Sequence, residues 1–154
     1  MPDEDAVTKL WFGFFNEIGI IGQLSRALLE ARLPEGFLVS HFSVLNHLVR
    51  VADGATPLGL ARAFQVAKTT MTHTLSVLER NGLVEMRDNP GDGRSKRVWL
   101  TEAGRRFRDA AIAGLAPDIR ALATRFPSDR LAPVLPLLAE LRGIMDRMRD
   151  EAGR

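Results

Sequence analysis

TPLGLARAFQVAKTTMTHTLSVLERNGLVEMRDNPGDGRSKRVWL, residues 56–100, changes its hydrophobic period partway through, and that change decides the fold. Pro57 suits the first position of a helix, where its missing N–H would have had no intrahelical acceptor. Leu58, Ala61 and Phe64 follow at a spacing that gives a short helix one buried face. Gln65, Val66 and Ala67 make a turn. Lys68 to Asn81 is predicted as a second helix, stopped by Gly82, the residue that most easily turns left-handed after a helix. Met71, Leu75 and Leu78 recur at i, i+4 and i+7 and face inward. The opposite face carries Lys68, Thr69, Thr70, Thr72, His73 and Ser76. Short hydroxyls can pair with a base edge or a phosphate, and a lysine offsets backbone charge. Such a face suits the major groove of DNA.

After Gly82 the period becomes two. Leu83 to Asp88 is predicted as a strand and Lys96 to Leu100 as its partner. Between them NPGDGRS, Asn89 to Ser95, reads as a long polar hairpin tip. Arg87, Arg94, Ser95, Lys96 and Arg97 cluster on this hairpin and join the helix face as candidate DNA contacts. Thr101 stands where it can cap a helix beginning Glu102-Ala103-Gly104. Helix, turn, helix and basic hairpin together describe a mainly α protein with a small β-hairpin, a winged helix-turn-helix.

Three pieces in register resemble the MarR family of transcriptional regulators. They are AKTTMTHTLSVLERNGLV (67–84), Asp92-Gly93-Arg94-Ser95 on the wing, and Leu100-Thr101-Glu102-Ala103-Gly104 at its exit. The resemblance implies a homodimeric, sequence-specific DNA-binding regulator, a ligand-responsive repressor on a pseudo-palindromic operator. It implies a single domain over 1–154, with a DNA-binding lobe at 39–101 and dimerisation helices at 6–31 and 102–150. Arg94 would enter a minor groove, with Asp92 holding the wing. A pocket for a small apolar or aromatic ligand would lie between the two regions, and Trp11, Phe14, Phe15, His41 and Phe42 are candidates to line it. Two residues depart from the family pattern. Ala67 stands where Ser or Asp usually caps the second helix, and His73 where Arg is common. Neutral imidazole cannot make the two-pronged guanine contact that Arg makes.

The flanks are helical. Ala6 to Ala31 carries Val7, Leu10, Trp11, Phe14, Ile18, Ile21 and Leu28 along a broad apolar stripe. Val39 to Val51 follows Pro34-Glu35-Gly36, with His41, Phe42, Val44, Leu45 and Leu48 inward. Ala52-Asp53-Gly54-Ala55 is predicted as the turn into the helix-turn-helix. Glu102 to Phe126 is predicted as one long helix kinked at Pro117. A last helix starts at Ser128 or Ala132, with Leu131, Val134, Leu135, Leu138, Leu141, Met145 and Met148 as an apolar seam and Pro136 disturbing its first turns.

Composition bounds the function. With 154 residues, 45% apolar and 26% charged, the chain suits one globular domain with a real core. There is no cysteine, which removes disulfides, thiol catalysis and thiolate-bound zinc. His41 and His47 lie about 120° apart around a helix and make no metal pair. No metal, cofactor or enzymatic chemistry is expected. The acidic start MPDEDAV is the wrong sign for a targeting peptide, and Asn16, Glu17, Pro133 and Pro136 interrupt the best apolar runs. A cytoplasmic protein without a membrane partner is expected. Residues 56–108 hold ten Lys or Arg against five Asp or Glu, whereas residues 1–55 hold four against seven. Basic charge thus gathers on the helix-turn-helix segment. A winged-helix protein-protein interaction module without DNA binding is the alternative. It would call for large apolar residues on the outward face, where this chain has Thr, Ser, His, Arg and Lys.

Overall fold

The computed structural model describes residues 3–51 and 53–153. Their elements run α1 (Glu4–Glu30), α2 (Val39–Arg50), α3 (Pro57–Phe64), α4 (Lys68–Arg80), β1 (Val84–Asn89), β2 (Asp92–Leu100), α5 (Glu102–Gly114), α6 (Ala116–Ala123) and α7 (Val134–Ala152). This is a mainly helical winged helix-turn-helix. The chain divides into two compact units, Met1–Leu115 and Ala116–Arg154. Ala52, part of the expected turn before α3, lies outside the described residues.

In the first unit the buried core joins α2, α3, α4 and the hairpin. Val44, Leu45 and Leu48 from α2 meet Leu60 and Ala61 from α3, Met71, Leu75 and Leu78 from α4, and Leu83, Val84 and Val98. Phe37, Phe64, Met86, Leu100 and Phe107 pack around them. On α3 the inward residue is Leu60, not the expected Leu58, which is 47% exposed. Pro57 opens this two-turn helix, so the face that meets α4 runs through Leu60, Ala61 and Phe64. Leu58 sits about half a turn away from Leu60.

Side-chain caps set the helix ends. Thr56 Oγ1 accepts the Gly59 N–H at 3.0 Å. Gln65 ends α3 with a left-handed φ of 52°, and Gly82 follows α4 at φ 68°. Thr101 Oγ1 accepts the Gly104 N–H at 3.0 Å and donates to Gly82 O at 2.7 Å, which ties the start of α5 to the end of α4. Gly104 is required there, because a Cβ would collide with Leu83 O. At α2, His41 Nδ1 accepts the Leu38 N–H at 2.8 Å. That is half of a capping box, since the leucine side chain cannot return a bond.

The hairpin is tighter than expected. Its strands pair from Val84↔Leu100 to Asp88↔Lys96 and again at Asn89↔Asp92, with a register shift between Asp88 and Asn89. Pro90 and Gly91 alone join them, so most of the expected long loop is strand. Ala55 bridges Val98 on the outer side of β2. The Gly54 N–H donates to Val98 O at 2.9 Å and the Val98 N–H to Ala55 O at 2.8 Å.

The predicted helix from Glu102 to Phe126 is broken rather than kinked. Pro117 has no N–H to offer Ala113 O and its ring crowds the preceding turn. The chain ends α5 at Gly114 and restarts α6 at Ala116, with Pro117 in a first turn where no N–H is needed. The boundary between the two units falls at the same place. The last helix begins at Val134, after a 3-10 turn over Ser128–Arg130. Pro136 therefore lies in its first turn and is accommodated there, and Leu131 falls before the helix. No described residue of α1, α6 or α7 is buried.

Candidate nucleic-acid interface

On α4 the two faces separate cleanly. Met71, Thr74, Leu75 and Leu78 are buried. Lys68, Thr69, Thr70, Thr72, His73 and Ser76 are all exposed. The hydroxyls are not equivalent. Thr72 Oγ1 donates to Lys68 O at 2.9 Å, and the buried Thr74 Oγ1 donates to Thr70 O at 3.1 Å. Thr72 therefore shows the solvent a methyl group and an oxygen whose lone pairs can accept. Ala67 gives the start of α4 no side-chain cap, and no acidic residue stands in its first turn. Uncapped N–H groups at a helix start favour an anion.

The hairpin's cations differ more than the sequence suggests. Arg87 and Arg97 are Cα partners across the strands, an arrangement that sets like charges side by side. Arg87 Nη2 is drawn to Glu85 Oε2 at 2.7 Å, and its guanidinium lies 5.4 Å from the centre of the Trp99 ring. Arg97 turns the other way, to Asn89 Oδ1 at 3.1 Å and Gly54 O at 3.2 Å. Lys96 Nζ meets Asp88 Oδ1 at 2.6 Å. The hydrogen bond and charge of Lys96 hold the Asp88 carboxyl below its ordinary value, and Asp88 raises Lys96 in return. Arg94 is exposed at the tip. Its backbone N–H donates to Asp92 Oδ1 at 3.0 Å, so Asp92 orders the turn through the main chain. Ser95 Oγ is engaged as well, accepting from Asn89 Nδ2 at 2.9 Å.

Several supporting residues escaped sequence reading. Asp53 Oδ1 accepts from the Leu100 N–H at 2.8 Å and the Gly54 N–H at 3.1 Å, pinning the segment before α3 to β2. Gly54, at φ 81°, lies so close under Trp99 that a Cβ would fall 2.7 Å from the indole. The Asp-Gly pair signals a turn, but its strand partner lies too far along the chain to be read.

The candidate ligand residues form two groups. Trp11, Phe14 and Phe15 touch one another on α1, with ring centroids 5.7–6.2 Å apart. His41 is buried on α2, capping Leu38 and lying 5.7 Å edge-on from Phe37, while Phe42 is half-buried. Burial, and then the charge of His73, push the His41 pKa below the ordinary 6.5. Among the described residues no group of three or more metal-ligating side chains gathers, and no helix is long and apolar enough to cross a membrane.

Residues 35–95 match the family described as "MarR family". A mutant MarR from E. coli, solved in complex with operator DNA, is 27% identical, covering 84% of this chain and 93% of its own, with a TM-score of 0.65. A MarR transcriptional regulator from Methanosarcina mazei Go1 covers 88% of this chain and 97% of its own at 20% identity and a TM-score of 0.74. The transcriptional regulator BldR from Sulfolobus solfataricus covers 96% and 99% at 23% identity and a TM-score of 0.70. The last two share the fold. The E. coli relative adds a partner, DNA, to the same architecture.

Proposed function

We propose that this chain, which matches the MarR family over residues 35–95, is a ligand-responsive transcriptional repressor of that family. As a homodimer it binds a pseudo-palindromic operator. One observation carries the DNA reading: α4 buries Met71, Leu75 and Leu78 and leaves six small polar or basic side chains exposed, and the wing-tip Arg94 is exposed as well. An interaction module would need apolar residues at those positions. In this reading Lys68, Thr69, Thr70, Thr72, His73 and Ser76 lie in the major groove, and the uncapped start of α4 accepts a phosphate. Arg94 enters the flanking minor groove, where narrow A·T-rich stretches concentrate negative potential. The lobe at 39–101 reads DNA, and the helices at 6–31 and 102–150 dimerise. Exposed apolar side chains along α1 support that division.

Affinity measured against salt tests the wing. Counterion release gives each phosphate-neutralising cation about one unit of slope, so Arg94→Ala should weaken binding broadly and flatten the slope by about one per subunit. Its preference for A·T-rich flanks should disappear. Superimposable slopes for the two proteins would remove the wing from the interface. The operator itself comes from selection of bound sequences out of random DNA.

Ligand control rests on the family resemblance and on the aromatic surface of Trp11, Phe14 and Phe15. An effector must bind free and DNA-bound protein with different affinity to act at all. Phenolic and aromatic acids titrated against a labelled operator test this. A panel that changes neither DNA affinity nor melting temperature sinks it.

A further inference from the structure

Arg97 and Asn89 were candidates for different things in the sequence, one a DNA contact and the other a turn residue. The structure joins them. Asn89 Oδ1 accepts from Arg97 Nε at 3.1 Å and from the Gly91 N–H at 3.1 Å, which uses both of its lone pairs. Asn89 Nδ2 donates to Ser95 Oγ at 2.9 Å, and Ser95 Oγ donates to Asp92 O at 3.3 Å. Asp92 Oδ1 in turn accepts the Arg94 N–H at 3.0 Å. At the other end Arg97 Nη1 donates to Gly54 O at 3.2 Å, and Gly54 is held by Asp53 and by β2. The chain of bonds thus runs from the segment before α3 to the backbone of Arg94. A guanidinium fork already holding two acceptors 43 residues and 8 residues away has fewer donors left for phosphate.

We infer that Arg97, Asn89 and Ser95 are positioning residues that preset the wing tip, and that Arg97 acts on DNA through Arg94 rather than by touching it. The inference rests on the proposed minor-groove role of Arg94. It differs from the simpler view in which every basic wing residue is a contact. A two-residue connection with a register shift is a weak scaffold on its own, since the bulge leaves residues unpaired. The side-chain relay supplies the missing restraint.

The test is a double-mutant cycle on operator affinity with the full-length protein. Asn89→Ala changes no charge and should weaken binding about three- to tenfold, as should Arg97→Ala. Arg97→Lys keeps the charge but cannot fork between Asn89 and Gly54, so it should behave like Arg97→Ala. In an Arg94→Ala background each of these changes should cost less than about twofold, because the relay has nothing left to aim. Free-protein amide exchange gives an independent reading: the Gly91 and Arg94 N–H groups should exchange faster in Asn89→Ala than in wild type. Unfolding midpoints taken alongside show that the lobe stays folded. If Arg97→Lys binds as wild type, or if Arg97→Ala and Arg94→Ala add, Arg97 is a direct contact and the inference is overturned. Full affinity in Asn89→Ala while Arg94→Ala binds weakly would overturn it too, and leave the wing reading standing. Wild-type affinity in Arg94→Ala itself would overturn the wing reading, and this inference with it.

Discussion

Helices α1 and α4 both carry apolar residues at helical spacing, yet they end in opposite states. On α4, Met71, Leu75 and Leu78 vanish into a core supplied by α2, α3 and the hairpin. On α1 the large apolar side chains from Val7 to Leu28 remain between 37% and 74% exposed, and none is buried. A stripe shows that a helix wants cover. It does not say what provides it. The winged-helix lobe closes on itself, whereas α1 presents a surface that is costly to leave in water.

Four measurements would sharpen or break this contrast. The largest effect belongs to Leu78→Ala, which hollows the centre of the closed core. It should lose about 2–5 kcal/mol in a urea titration. A loss below about 1 kcal/mol would mean the lobe is not where the stability lies.

Gly104→Ala comes next. The added methyl meets Leu83 O and Leu100 Cδ1, where backbone and core side chain leave no room. Overpacking there should cost about 1–3 kcal/mol, with helix content retained. An unchanged midpoint would show that α5 can lift off the hairpin freely.

His41 supplies a smaller, pH-dependent term. Burial lowers its pKa, and neutral Nδ1 is needed to accept the Leu38 N–H. Its contribution is therefore complete above about pH 6.5 and is lost as pH falls through the lower folded-state value. Between pH 7 and 5, wild type should lose stability more steeply than His41→Gln. Parallel pH profiles would remove His41 from the account.

The smallest effect on folding, and the sharpest on assembly, is expected at Leu10, which is 74% exposed. Leu10→Ser should change the stability of the isolated chain by no more than about 0.5 kcal/mol. If a second copy covers α1, wild type at micromolar concentration should scatter light well above the mass of one chain, 17.0 kDa. The variant should shift toward that mass. A wild type already at 17.0 kDa would break the comparison outright.

Where sequence reading succeeded, the physics was local. Pro57 opening α3, Gly82 after α4 and Thr101 capping α5 each depend on neighbours within a few residues, so the helix-turn-helix and its exit were legible. Leu58 was misjudged because a two-turn helix has too few apolar residues to define its own face, and the packing of α4 chose Leu60 instead. Pro117 was read as a kink because periodicity continues past it, although a missing donor and a crowded ring favoured a break. On the wing, Arg87, Lys96 and Arg97 read alike in the sequence as candidate contacts with Arg94, and the structure adds that each also has a partner within the chain.

Those partners mark the division between sequence and structure. From sequence alone came the order of helices and hairpin, the polar outward face of α4, and the residue types at each helix end. Each is a consequence of backbone conformational preference and of residues adjacent along the chain. Only the tertiary structure decided that Asp53 would hold Leu100 from 47 residues away and that Arg97 would reach back 43 residues to Gly54. Strand register, a bulge and the approach of a distant loop set those distances. A charge's role follows from what stands within about 3 Å of it, and that depends on how the whole lobe closes.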